Sequence, residues 1–239
     1  MTNSVAGLRP DTSGTADGQA LVIAVDGPSG SGKSSAARGT ATALAFRYLD
    51  TGAMYRAVTW WMLEHDVDVA DAEAVTRHAR DLSIDISTDP AAQRVRVDGI
   101  DVTAAIRNRR VSNVVSLVAA VPAVRSQLIA QQRAIIAGAA AAGGIVAEGR
   151  DIGTVVAPGA AVKVFLTASE RVRAERRTAE LGEAPSAAVT MAEQAQRDRR
   201  DAPQSQKAAD AIEIDATDLG LDDVIGRIVG LVTAKRAGA

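Results

Sequence analysis

The sequence predicts an α/β fold in three layers, with a parallel central sheet covered by helices on both faces. Three observations predict it. Short apolar runs at 21–25, 144–148 and 162–166 have the length and continuity of strands buried on both sides. Longer stretches with helical spacing separate them, so each return to the sheet is a crossover. The polar clusters Asp26-Gly27, Asp50-Thr51 and Glu148-Gly149-Arg150-Asp151 each stand just past an apolar piece. Open α/β sheets hold their ligands at that carboxyl edge, so the three clusters are expected to converge.

The elements follow in order. Residues 1–19 are rich in Gly, Thr, Ser and Asp, lack the apolar core of a signal peptide and read as a disordered leader. Strand one covers 20–26, and helix one covers 33–46, where alanines follow Lys33. Tyr48-Leu49 is a short apolar piece ending at Asp50-Thr51-Gly52. Tyr55, Val58, Trp61 and Met62 give a second helix its spacing over about 53–64, and 71–82 suggests a third. Then the period changes. Residues 83–87 and 94–98 alternate, with Asp89-Pro90 between them, and Asp98-Gly99 supplies a tight turn before 100–102. That is a small antiparallel β insert. Helix returns over about 103–138 and restarts at Pro122. Residues 169–200 are helical and arginine-rich, 211–214 is a last strand, and 221–236 is a closing amphipathic helix.

Composition narrows the function. Of 239 residues, 47% are apolar and only 3% aromatic, so a sizeable core must be built from small aliphatic side chains. A net charge of −2 argues against a general nucleic-acid or membrane-surface binder. The absence of cysteine excludes disulfides and thiolate metal sites, and His65 and His78 are too few for a histidine-built metal centre. The most apolar stretch, 134–147, is broken by glycines and too short to span a bilayer. The expectation is a soluble, cytoplasmic monomer with no nucleic-acid or membrane partner.

Gly27-Pro28-Ser29-Gly30-Ser31-Gly32-Lys33-Ser34 matches the P-loop pattern G-x-x-x-x-G-K-[ST] between a strand and a helix, the setting that motif requires. Glycines let backbone N–H groups close around a polyphosphate, with Ser35 next in line at the helix start. Lys33 can reach the β- and γ-phosphates, and the Ser34 hydroxyl can ligate Mg²⁺. Glu148, ending a buried strand, stands where a carboxylate can orient metal-bound water.

Three strings are more specific. Ile23 through Ser34, then Leu49-Asp50-Thr51-Gly52-Ala53-Met54-Tyr55-Arg56, then Glu148-Gly149-Arg150-Asp151-Ile152-Gly153-Thr154-Val155-Val156 resemble the bacterial cytidylate kinases. The similarity spans roughly 20–235 and leaves out the leader. The resemblance implies a P-loop nucleoside monophosphate kinase domain that transfers the ATP γ-phosphoryl group to CMP or dCMP with Mg²⁺. It implies a core (20–60 and 140–168), a monophosphate-binding region enlarged by the β insert (about 66–125), a helical lid (about 169–200) and a closing strand and helix (210–235). It implies that Arg56, Arg125 and Arg150 grip the acceptor phosphate or the moving group, as a planar guanidinium fork suits. Asp151, Ser116, Arg197 and Asp201 match positions for base recognition and nearby contacts, and Thr51 and Tyr55 line the nucleotide pocket. Among Arg171, Arg173, Arg176 and Arg177, the selected lid cations are Arg173 for ATP and Arg176 for catalysis. The alternative is a solvated helix face paired with Glu170, Glu175 and Glu180.

The chain departs from the family after Asp201. Gln204 stands where an arginine is expected, a Pro-Leu pair is absent, and the segment before Asp210 is about four residues short by that comparison. A cation near the CMP phosphate or ribose is then missing, with Lys207 as its possible replacement, and weaker CMP binding or altered tolerance of dCMP is expected. Two other readings stay open. One is a P-loop kinase for UMP, dTMP or a metabolite such as shikimate. The other is a regulatory P-loop NTPase, against which the missing Asn-Lys-x-Asp guanine motif argues.

Overall fold

The computed structural model describes residues 21–181 and 187–238. The leader at 1–19 lies outside them, as does part of the expected lid at 182–186. Strands β1 (Leu21–Asp26) and β2 (Arg47–Asp50) flank helix α1 (Lys33–Ala43). Helices α2 (Thr51–Glu64) and α3 (Ala72–Ala79) lead to a hairpin sheet of β3 (Ile84–Ile86), β4 (Val95–Val97) and β5 (Ile100–Asp101). Helices α4 (Arg109–Ala119) and α5 (Pro122–Ala140) return to β6 (Gly144–Gly149). A single π-helical turn (Ile152–Val156) precedes β7 (Val162–Thr167). Then come α6 (Glu170–Leu181), α7 (Ala187–Asp201), β8 (Ile212–Asp215) and α8 (Leu221–Ala237).

The main sheet runs β2-β6-β1-β7-β8, and every pairing is parallel. Its faces separate by alternation, because successive strand side chains point to opposite sides. Ile23 and Val25 pack with Ala37, Ala41, Val224, Ile228 and Val232 of α1 and α8. Ala24, Leu49, Ile145 and Ala147 face α2 and α5, beside Met54, Val58, Met62 and Leu128. The hairpin sheet is antiparallel, as its alternating runs require, and its inward side chains Ile84, Ile86, Val95 and Val97 join the α2 side of the core.

Helix boundaries follow capping chemistry. Asp50 accepts from Ala53 N at 2.8 Å, so α2 starts at Thr51 rather than at the expected 53. Asn108 caps α4 through Val111 N, and Pro122 opens α5. These two helices meet at 98°, and no single helix among the described residues is long and apolar enough to cross a membrane. Helix α1 is different: its N-cap is Gly32, at φ 91°, and no side chain caps it. Its first-turn N–H groups therefore face a site suited to an anion.

Candidate active site

The P-loop after β1 and the carboxyl ends of β2 and β6 open into one cavity of about 430 Å³; Asp50-Thr51 and Glu148–Asp151 line it, while Asp26-Gly27 stands behind its wall and bonds Arg150, Ile152 and Gly153. Sixteen predicted residues line it: Ser29, Gly30, Gly32, Lys33, Ser34, Ser35, Thr51, Tyr55, Arg56, Ser116, Arg125, Glu148, Arg150, Asp151, Arg197 and Asp201. The loop itself needs its glycines. Gly27 sits at φ 154°, and a Cβ there would collide with the Leu166 carbonyl oxygen.

Glu148 is the hinge of the donor side. Its Oε2 accepts from Ser34 Oγ at 2.9 Å and its Oε1 from Tyr48 Oη at 2.6 Å. Thr51 Oγ1 donates to the Glu148 carbonyl at 2.7 Å and so ties β2 to β6. Burial, with Asp50 nearby, pushes the Glu148 carboxyl up, while Lys33, Tyr48 and Ser34 oppose the push. Burial likewise pushes Lys33 down to about 7, and Arg150, Arg197 and Arg56 add to that. Its ammonium donates to the Pro28 carbonyl at 3.1 Å. A polyphosphate entering here would supply the missing negative charge.

The side of the cavity facing the P-loop is a mesh of guanidinium and carboxylate groups. Asp50 takes Arg107 at 3.2 Å and Arg56 at 3.6 Å; burial works against its charge, but the two arginines hold its carboxyl below the usual range. Arg125 bridges Asp151 at 2.5 Å and Gln204 Oε1 at 2.8 Å. Asp201 accepts from Ser116 Oγ at 2.7 Å and from Arg150 Nε at 3.2 Å, with Arg197 3.7 Å away. Burial, with Arg150 and Arg56 alongside, pulls Arg197 down to about 9. Among the described residues, Arg56 Nε and Arg197 Nε are buried with no hydrogen-bond partner. Such groups cost free energy unless a ligand satisfies them.

Five predicted residues stand behind the cavity wall. The Gly27, Pro28 and Ser31 carbonyls accept from Arg150, Lys33 and Arg176. Arg173 donates to Ser29 O at 3.1 Å and pairs with Asp198, and Arg176 donates to Ser31 O at 3.2 Å and Ala216 O at 2.8 Å. Both arginines brace main-chain carbonyls of the loop. Of the four α6 arginines, Arg177 lines the cavity and reaches Ser112 Oγ at 2.7 Å. Lys207 does not replace the missing cation: it pairs with Glu213 at 2.8 Å, away from the cavity-lining residues. Gln204 does line the cavity.

Arg38, Arg107 and Tyr48 are cavity residues that sequence reasoning passed over, and Arg177 is one that it weighed without selecting. Tyr48 carried a signal, a phenol hydroxyl two residues before the Asp50-Thr51 cluster. Arg107 stood within a stretch that already resembled the family. Arg177 was indistinguishable from its neighbours until the helix was docked.

A parallel sheet, a P-loop at the end of its central strand and a cavity dense in arginine define a protein of the P-loop kinase class. The sequence matches the cytidylate kinase family over residues 23–234. It is 48% identical to a cytidylate kinase of Streptomyces griseus, covering 92% of this chain and 95% of that one. It is 47% identical to one from Rhodococcus opacus (91% and 96% covered) and 46% identical to one from Geobacillus kaustophilus (90% and 97%). The chain belongs to the cytidylate kinase family.

Proposed function

We propose that this chain transfers the γ-phosphoryl group of ATP to CMP or dCMP, giving ADP and CDP or dCDP. The carrying observation is the formal charge of this cavity. Lys33, Arg38, Arg56, Arg107, Arg125, Arg150, Arg177 and Arg197 oppose only Asp50, Glu148, Asp151 and Asp201. The surplus of four positive charges equals the negative charge of ATP, Mg²⁺ and a nucleoside monophosphate dianion together.

Phosphoryl transfer asks for alignment and charge neutralisation rather than covalent help, and the acceptor phosphate needs no general base. Lys33 stabilises charge on the γ-phosphoryl oxygens. Arg56 and Arg150, fixed by Asp50 and Asp201, hold the acceptor phosphate in line. Cytosine offers an amine at C4 and acceptors at N3 and O2, which Asp151 and Arg125 complement. Uracil would set an oxygen against the Asp151 carboxylate, at a cost of about 1–3 kcal/mol.

The donor set suits Mg²⁺. Ser34 Oγ and Glu148 Oε2 lie together at the cavity wall, two hard oxygens beside the phosphate loop. Magnesium is commonly held by one or two protein oxygens plus phosphate and water. When bound, it draws charge from the phosphate oxygens; Ser34 and Glu148 are the residues that would hold it. Helices α6 and α7, with Arg177, would form the lid that excludes water from ATP. The working unit we propose is a monomer, and a chain without cysteine suits the cytoplasm.

Measuring ADP release with CMP, dCMP and UMP side by side tests the reading. Turnover with CMP and dCMP well above UMP is expected, and no release with CMP would sink it.

A further inference from the structure

Asp26 belongs to one of the three polar clusters, yet the scheme above gives it no part. It ends β1 one residue before the loop and is 5% exposed. Its oxygens are taken by main-chain donors: Oδ1 accepts from Ile152 N at 2.9 Å and Oδ2 from Gly153 N at 2.8 Å. Those amides open the π-helical turn, which follows directly on Arg150 and Asp151. From the next residue, the Gly27 carbonyl accepts from Arg150 Nη1 at 2.9 Å. Asp26 of the donor strand and Gly27 of the loop thus hold the acceptor segment at three points.

The chemistry calls for a carboxylate. Here each of the two adjacent amides has an acceptor oxygen of its own, an arrangement that a carboxylate supplies and an amide or hydroxyl side chain, with one oxygen, does not. Burying that charge is expensive. Burial pushes Asp26 up to about 6 against the pull of the Gly153 and Ile152 amides; Asp151 adds to the push and Lys33 opposes it. The turn is built to fit closely: a Cβ on Gly153 would lie 3.2 Å from Lys163 Cδ and 3.4 Å from Asp26 Oδ2.

We infer that Asp26 is a positioning residue for phosphoryl transfer: its two-amide clamp sets Arg150 and Asp151 at a fixed distance from the phosphate loop, so that donor and acceptor meet in line. The inference rests on the kinase reading above. In-line transfer loses rate steeply with sub-ångström misplacement, whereas each substrate alone still finds its own contacts. Loss of the clamp should therefore appear in kcat before KM.

Asp26→Asn keeps the side chain's shape and one acceptor oxygen, and turns an NH₂ toward the second amide. Steady-state kinetics with CMP should show kcat down by about tenfold or more, with KM for CMP and ATP within about threefold. Asp26→Ala, with neither acceptor, should lose more. An unchanged kcat, or a loss appearing only as raised KM, overturns the inference. Amide exchange on the wild-type enzyme needs no variant: the Ile152 and Gly153 amides should be protected, and fast exchange at both would equally overturn it. Wild-type protein that releases no ADP with CMP would instead defeat the kinase reading itself.

Discussion

The donor loop and the acceptor cluster meet in one cavity but are made from different material. Eight consecutive residues build the loop, largely from main-chain groups and left-handed glycines such as Gly30 at φ 74°. The cluster is assembled from side chains on α2, α4, α5 and α7, the segment after β6, and Gln204. A site made of main chain is set by the strand and helix that frame it, and few of its side chains matter beyond Lys33 and Ser34. A site made of side chains can be retuned one residue at a time. Rate should therefore concentrate in the loop, and acceptor choice in the cluster.

The sharpest way to break that division is Lys33→Ala. We expect kcat to fall by about 10²–10³-fold, with CMP affinity within about threefold, read by steady-state kinetics and CMP titration. An effect confined to the KM for CMP would show the division is misdrawn. Next comes Arg125→Ala, which strands the buried Asp151. It should cost about 10- to 100-fold in kcat/KM for CMP and leave the KM for ATP alone; equal losses for both substrates would merge the two regions.

Tyr48→Phe sharpens the donor side by removing the 2.6 Å bond to Glu148. A drop of about tenfold in kcat is expected, with the Mg²⁺ activation curve and direct Mn²⁺ binding both moved to higher metal concentration. A wild-type metal dependence would refute this.

Protonation offers a gentler probe. Lys33 sits near 7 without a ligand, and phosphate raises it. Binding a non-hydrolysable ATP analogue should therefore take up protons, most strongly around pH 8 and hardly at all below pH 6, where Lys33 is already charged. Calorimetry in buffers of different ionisation enthalpy reads this directly, and proton release at pH 8 would contradict it. The smallest effect belongs to Gln204→Ala, which removes one bond to Arg125. A rise of about two- to fivefold in the KM for CMP is expected from a single hydrogen bond at the cavity wall.

The same contrast explains what the sequence made legible. The loop could be read directly, because its chemistry is contiguous and its glycines announce their backbone. The elements could be read too, since both the switch from helical spacing to alternation at 83–98 and the restart at Pro122 are local patterns. The cluster was reached only through resemblance. Nothing local says that Ser116 will meet Asp201, or that Arg125 will lie between Asp151 and Gln204. Tyr48 is the clearest case: its partner is one hundred residues away. Four arginines within the seven residues 171–177 look alike until the helix docks, and docking turns Arg173 and Arg176 onto loop carbonyls and Arg177 into the cavity. The π-helical turn had no sequence signal at all, since what shapes it is Asp26 on another strand.

Strand order also governs how the chain is made. β1 is the first strand described, yet it lies in the middle of its sheet, with Leu21 paired to Gly144 and Ile23 to Val162. Both neighbours therefore emerge from the ribosome long after it does. Until β6 has been synthesised, the apolar Leu21–Val25 run has neither of its sheet neighbours, and until β7 it still lacks one; such long-range pairing is slow and prone to aggregation. The phosphate loop hangs from that waiting strand. Nucleotide can help to complete this fold only after about two-thirds of the chain exists, and truncation before β7 should leave a polypeptide that needs a chaperone rather than a substrate.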